Sequence, residues 1–302
     1  MRREPYLSAP FIHKNNEPKY HANLLRANEQ AKTERKYTLW FAATDIPENP
    51  AQIVKTPSRQ QQRLQRFLQF HDQQTAGIPG LNVLYEGMQA RVTEKLVKHK
   101  HLVFLKHSSC RVIGWELHPA DRLRQDGAER LLDYLPLCIF LHFEDATWII
   151  DKRLGLGVWP LYPVERTWTL NEALGTKIRR KGFTLVPDYA STAFMIQGAT
   201  LPAAIADCGD VADSGGLSEF MTLYVMLSRV KCADGLLLLR VFCPNVFQMG
   251  ALPGPHCLLK MLRHRFQTEA VFSEADSELV RSLVRELVSE LLRRSLVGEL
   301  LG

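Results

Sequence analysis

The chain has 302 residues, 46% of them hydrophobic and 23% charged, which is enough apolar material to bury the core of one large domain or two ordinary ones. Thirty-eight Lys and Arg against thirty-two Asp and Glu leave a formal charge of +6, an excess compatible with a polyanionic partner but shared by many proteins that bind none. No run of 18 apolar residues occurs, no apolar stretch follows Met1-Arg2-Arg3-Glu4-Pro5, and the six cysteines form no Cys-x-x-Cys pair. The expectation is therefore no membrane span, no export signal, no structural zinc, and an intracellular, reducing compartment.

Residues 17–33 read as a helix, followed by a strand over 36–43 that ends at Thr44-Asp45, together one αβ step of a sheet. A connection with Pro47, Pro50 and Pro57 leads to a second helix over 58–68, rich in long unbranched side chains. Gly77-Ile78-Pro79-Gly80 breaks the chain before Met88, Ala90 and Val92, which alternate at period two as in a strand. From there to about residue 182 short strands alternate with turns, at 102–105, 111–117, 135–143, 147–151 and 164–170, as in a small β barrel or sandwich. Apolar strands of a buried sheet return at 183–186, 201–207 and 235–242. In the tail, Ser273 with Asp276 suggests a helix start, and the apolar pairs Leu279/Val280, Leu283/Val284, Leu287/Val288 and Leu291/Leu292 predict a long helix over 273–301. A repeat of four makes that stripe drift around the helix, which favours packing on its own domain over a coiled-coil seam.

Two segments carry chemistry. The first is Tyr189-Ala190-Ser191-Thr192-Ala193-Phe194-Met195-Ile196-Gln197-Gly198-Ala199-Thr200; the second is Tyr224-Val225-Met226-Leu227-Ser228-Arg229-Val230, with one arginine just past an apolar run. Together they resemble the last two motifs of the Pif-type and RecD-like DNA helicases of superfamily one, an Ala-x-Thr-Ile-His-Lys-x-Gln-Gly-x-Thr run followed by a Tyr-Val-Ala-Leu-Ser-Arg run. The region from Asn15-Asn16 through Asn23 to Asp45 looks like the opening of the family's second motor domain. Leu84-Tyr85-Glu86-Gly87-Met88-Gln89-Ala90-Arg91-Val92-Thr93-Glu94-Lys95-Leu96 is similar to the segment leading into its β insert. The order of segments agrees from about residue 10 to about residue 262.

The resemblance implies an α/β fold: a RecA-like parallel-sheet lobe over 1–96 and 183–262, a small all-β, SH3-like barrel insert over 97–182, and a C-terminal helical extension over 263–302. It implies ATP and Mg2+ as cofactors and single-stranded DNA as a partner. A first RecA-like lobe upstream, 5′-to-3′ unwinding, a part in DNA repair and recombination, and a nuclear or mitochondrial location are implied as well. By match to the family's positions, Arg229 is the catalytic arginine finger, Gln197 and Gly198 join it in binding nucleotide, and Ser191, Thr192 and Thr200 contact DNA. Tyr224, Val225 and Leu227 are expected to pack and hold the finger. A planar guanidinium suits the γ-phosphate better than lysine does. The blander reading makes Arg229 a helix cap or the partner of an acid.

The chain departs from the family where His-Lys-x-Gln-Gly has become Phe194-Met195-Ile196-Gln197-Gly198. That removes one phosphate-pairing cation; core packing is the expected role of the apolar trio, with stacking of Phe194 on a base as the alternative. No Gly-x-x-x-x-Gly-Lys-Ser/Thr loop occurs. The chain is accordingly expected to be a fragment of a longer product or a remnant that no longer hydrolyses ATP. The rival class is a non-catalytic nucleic-acid-binding or protein-interaction module derived from a helicase. Among other features, Lys95, Lys98, His99, Lys100, His101, Lys106, His107 and Arg111 form a basic cluster that is either phosphate-contacting or solvated. Arg179-Arg180-Lys181 reads as a second basic turn, either near the nucleic acid or simply exposed, and His142, Glu144 and Asp145 as a hairpin end rather than an acid-base set.

Overall fold

In the computed structural model the described residues are 6, 8–48, 67–98, 101–121, 129–171, 176–209, 217–240, 242, 245–246 and 253–265. The expected helices over 58–68 and 273–301 lie wholly or almost wholly outside them. The described chain opens with β1 (Phe11–His13), α1 (Asn16–Thr33), β2 (Thr38–Ala42), β3 (Thr44–Pro47), β4 (Leu81–Leu84) and β5 (Gln89–Val92). Then come β6 (Leu96–Lys98), β7 (His101–Phe104), β8 (Ser109–Glu116), β9 (Glu129–Leu131), β10 (Cys138–His142), β11 (Val158–Leu161), β12 (Val164–Asn171) and β13 (Thr176–Gly182). The remainder holds β14 (Leu185–Pro187), β15 (Ala190–Thr192), β16 (Ala204–Asp207), α2 (Leu217–Leu227), β17 (Leu236–Arg240) and α3 (Pro253–Arg265). Residues 1–211 and 222–241 form one contact unit; 212–221 and 242–302 form another.

The first unit contains a four-stranded, all-parallel sheet in the order β15-β1-β16-β17. Helix α1 buries Lys19, Tyr20, Asn23, Leu24, Ala27 and Ala31, which recur on one face at the helical period, and packs against β1 and β15. Small residues on both sides allow that approach: Ala27 and Ala31 on the helix, Ala190 and Ser191 on β15, all buried.

The rest of the unit is mostly antiparallel. A five-stranded sheet runs β11-β10-β8-β5-β14, a three-stranded sheet runs β12-β13-β3, and β6 pairs with β7. In the sheet β4-β2-β9 the second pair is parallel. Two expectations change here. The strand after α1 forms, but instead of extending the parallel sheet as an αβ step it pairs with β4 and β9. The ranges 1–96 and 97–182, expected as separate units, share sheets through β2–β9, β5–β8 and β3–β13. They also share one core, in which Tyr20, Leu24 and Phe41 belong to the same buried cluster as Ile139, Leu141 and Leu161. Within 97–182 the described residues are strands, turns and a single 3-10 turn at Pro119–Asp121.

Strand β13 shows why a basic stretch need not be a turn. Its side chains alternate, with Ile178 and Arg180 fully buried and Lys177, Arg179 and Lys181 exposed. The inner face packs Ile178 with Trp168 and Phe67, and the Arg180 guanidinium lies 5.2 Å from the centre of the Trp168 ring.

Candidate nucleotide and nucleic-acid site

The parallel sheet ends at a row of polar residues. His13, Thr192 and Asp207 close β1, β15 and β16, with His13 in register with both others, and Asp207 in register with Arg240 of β17. The carboxyl end of a parallel sheet is where α/β proteins seat ligands, because the strands stop there and the connections diverge. Asp207 accepts two bonds from Arg240, at 2.6 and 3.0 Å, and one from the Gly209 amide at 3.2 Å. Burial pushes its carboxyl upward, but these donors and the nearby imidazole prevail and hold it below the ordinary aspartate value. His13 Nδ1 accepts the Asn15 amide at 2.9 Å, which leaves Nε2 facing Asp207 Oδ2 at 4.0 Å. The sequence reading missed this row. The signal available was the polar residue ending each apolar strand.

Asn23 of α1 sets the position of β15. Its Oδ1 accepts the Tyr189 and Ala190 amides at 2.7 and 2.6 Å, and its Nδ2 donates to the Ala190 carbonyl at 3.1 Å. An edge strand has unpaired backbone groups, and a buried carboxamide meets both kinds at once. Beyond β15, residues Ala193–Ile196 make one 3-10 turn. It buries Ala193 and Ile196 but leaves Phe194 66% exposed, so the expectation that Phe194 packs in the core is overturned. A turn of three residues per repeat cannot put three consecutive side chains on one face.

Gln197, Gly198, Ala199 and Thr200 follow, all exposed. Gly198 has φ +83°, the left-handed region, and this is where the segment reverses. Ser191 and Thr192, by contrast, are 3% and 6% exposed, in the strand.

The second segment is a helix and the turn after it. In α2, Thr222, Leu223, Val225 and Met226 are buried, while Tyr224 is 52% exposed and so does not pack as expected. The helix period puts it on the opposite side from Thr222 and Met226. Past the helix end the Ser228 amide donates to the Tyr224 carbonyl at 3.0 Å. Arg229 folds back: Nε donates to the Val225 carbonyl at 3.1 Å, Nη2 to Ser228 Oγ at 2.7 Å, and Nη1 to the Ala199 carbonyl at 3.3 Å. Its own carbonyl accepts the Leu201 amide at 2.8 Å, and Leu201 forms a parallel bridge with Val230. Arg229 thus joins the two segments, which are thirty residues apart. A cation at a helix C-terminus is favoured by the unpaired carbonyls there. No carboxylate among the described residues pairs with Arg229. Among the described residues no cluster of three or more His, Cys, Asp or Glu could hold a metal ion.

No family model and no curated protein matches the sequence. Among solved structures, the chain is similar to a Pif1 helicase from Candida albicans, at 16% identity and TM-score 0.43 over 80% of this chain and 49% of that one. It is also similar to a Bacteroides Pif1 bound to ssDNA, at 13% identity and TM-score 0.45 over 86% of this chain and 46% of that one. A third is a Bacteroides Pif1 helicase in complex with ADP-AlF3 and ssDNA, at 11% identity and TM-score 0.44 over 88% and 47%. The chain spans about half the length of these proteins.

Proposed function

We propose that the chain is the second motor lobe of an ATP-dependent DNA helicase of the Pif type, with an SH3-like β region whose strands join the sheets and core of the flanking segments, and with a C-terminal helix. Joined to a P-loop lobe, it works 5′-to-3′ on single-stranded DNA. The observation that supports this reading is the meeting of the two motif segments at Arg229, whose guanidinium is anchored at Nε on the helix end and carries its outer nitrogens to Ser228 and Ala199. Those outer bonds are to neutral oxygens, and a γ-phosphate offers the guanidinium an opposite charge and paired acceptors that suit its planar fork. Gln197 and Gly198, exposed beside this point, complete the nucleotide side. Thr200, exposed, serves the DNA backbone, while Ser191 and Thr192 are buried in β15 and hold that strand's end in place; Phe194, exposed where the family motif carries His, offers a ring to a base. ATP supplies the phosphoryl group and Mg2+ its charge neutralisation; a P-loop lobe holds both, and this chain contributes the arginine.

A non-catalytic, nucleic-acid-binding module is favoured by one feature: the bonds of Arg229 to Val225 and Ser228 are also those of a helix C-cap. Phosphate release separates the two. In an assembly with a P-loop lobe, Arg229→Ala is expected to lower kcat by roughly a thousandfold or more, as for other arginine fingers. Unchanged hydrolysis in that variant means a cap. The 302-residue chain alone is expected to release no phosphate from ATP with or without DNA; release that Arg229→Ala abolishes would overturn this.

A further inference from the structure

A second surface bears on the nucleic-acid part of that reading from a different part of the fold. Lys177, Arg179 and Lys181 stand on the outward face of β13, the middle strand of β12-β13-β3, because alternation turns Ile178 and Arg180 inward. Residues two apart on a strand are separated by about 6.8 Å, so the three cations form a straight row. Beside them in register lie Thr169, Thr167 and Glu165 of β12, and Ile46 and Thr44 of β3. Glu165 approaches Arg179 at 3.9 Å with both side chains half exposed, and an exposed pair of this kind holds weakly. Glu48, at the margin of the sheet, accepts Thr167 Oγ1 at 3.2 Å.

At its Lys181 end the row opens on a concavity of about 300 Å³ that Thr44, His118, Tyr134 and Pro163 help to line. The His118 and Tyr134 rings stack at 4.4 Å with an interplanar angle of 23°, and Tyr134 is 52% exposed. A row of cations thus leads to a flat aromatic surface.

We propose that this face binds single-stranded nucleic acid, its phosphates on Lys177, Arg179 and Lys181 and one base against Tyr134. The combination selects the occupant. An acidic peptide uses the cations but has no base for the ring, whereas a duplex keeps its bases paired and stacked inside. An unpaired strand presents both a charged backbone and free π-faces, and stacking on an aromatic is tolerant of sequence.

The test is fluorescence anisotropy of labelled oligo-dT with the 302-residue chain over a salt series. Replacing Lys177, Arg179 and Lys181 together by Ala is expected to lower the slope of log K against log salt by about 2, at roughly 0.7 per phosphate contact. Tyr134→Ala is expected to weaken binding about tenfold at an unchanged slope. A triple variant with native circular dichroism and the wild-type slope overturns the inference. So does displacement of oligo-dT by poly-Glu at equal charge concentration. Should the triple variant fail to fold, Lys177→Glu alone is expected to weaken binding, and intact binding there is equally decisive against it. Binding lost in Phe194→Ala but intact in the triple variant overturns this surface and leaves the motor-lobe reading standing. Binding lost in the triple variant but intact in Phe194→Ala supports this surface and removes Phe194 from the DNA interface. A wild-type chain without affinity for oligo-dT overturns this surface, while the motor-lobe reading, which requires the P-loop lobe, is judged by phosphate release in that assembly.

Discussion

Arg180 and Asp45, 135 positions apart, form a two-bond ion pair in which neither side chain is more than 3% exposed. Both bonds are 2.7 Å, and the other donors reach the Ile78 and Phe67 carbonyls at 3.2 and 2.7 Å. Four of the five guanidinium N–H donors are bonded, and the buried charge is matched by the Asp45 carboxylate. This pair fastens β13 to β3 and to the segments ahead of β4. Removing either partner strands the other's charge in an apolar setting. Arg180→Ala or Asp45→Ala is expected to cost about 3–5 kcal/mol in urea unfolding, and the double change Arg180→Met with Asp45→Leu to recover most of it. A single-variant loss under about 1 kcal/mol contradicts the assignment.

Asn23 makes three bonds to the backbone of residues 189–190, all to groups that would otherwise be left unmet. Asn23→Ala is expected to lower stability by about 3 kcal/mol, since each buried amide or carbonyl without a partner costs about 1–3 kcal/mol. Hydrogen exchange at the Tyr189 and Ala190 amides is expected to accelerate more than at β10. Equal acceleration everywhere would mean that Asn23 acts on the whole fold and not on β15.

Asp207 is predicted to matter in acid. Its pKa is lowered in the folded chain against burial, chiefly by Arg240, so the unfolded chain binds the proton more tightly. The resulting stability is present above the unfolded value of about 3.9 and disappears as pH falls through the folded one. Asp207→Asn is therefore expected to be less stable than wild type at pH 7, with the gap closing below about pH 4. Thermal melts at pH 7, 4 and 3 measure this; a gap that widens in acid reverses the sign and refutes it.

Phe194 is 66% exposed, so Phe194→Ala is expected to change stability by no more than about 0.5 kcal/mol. If the ring stacks on a base, oligo-dT affinity drops while the salt slope holds. Phe194→His with Met195→Lys is expected to remain folded and to steepen the slope by about 0.7, one added phosphate contact. An unchanged slope in the folded double variant removes this loop from the DNA interface.

Residues 97–182 share their core with α1, so that segment expressed alone is expected to lack a cooperative thermal transition. A sharp transition in the isolated segment would show that the β strands need neither Tyr20 nor Phe41.

What the sequence determined by itself was local. Helix α1 and strand β16 were legible because their apolar residues recur at the period of a single element, and the two motif segments because their residue types are contiguous. Tertiary structure decided whatever depends on a partner far along the chain. Arg179-Arg180-Lys181 looked like a solvated turn because charge ordinarily means exposure; only Asp45, delivered by β3, allows Arg180 inside. Phe194 looked like core because an aromatic between Ala193 and Met195 ordinarily is; the 3-10 turn sends it outward. The strand at 38–42 carried no mark of its neighbours, and it left the parallel sheet for β4 and β9. Strand pairing and the burial of charge are settled by register and by partners distant in sequence, and neither leaves a period in the residues themselves.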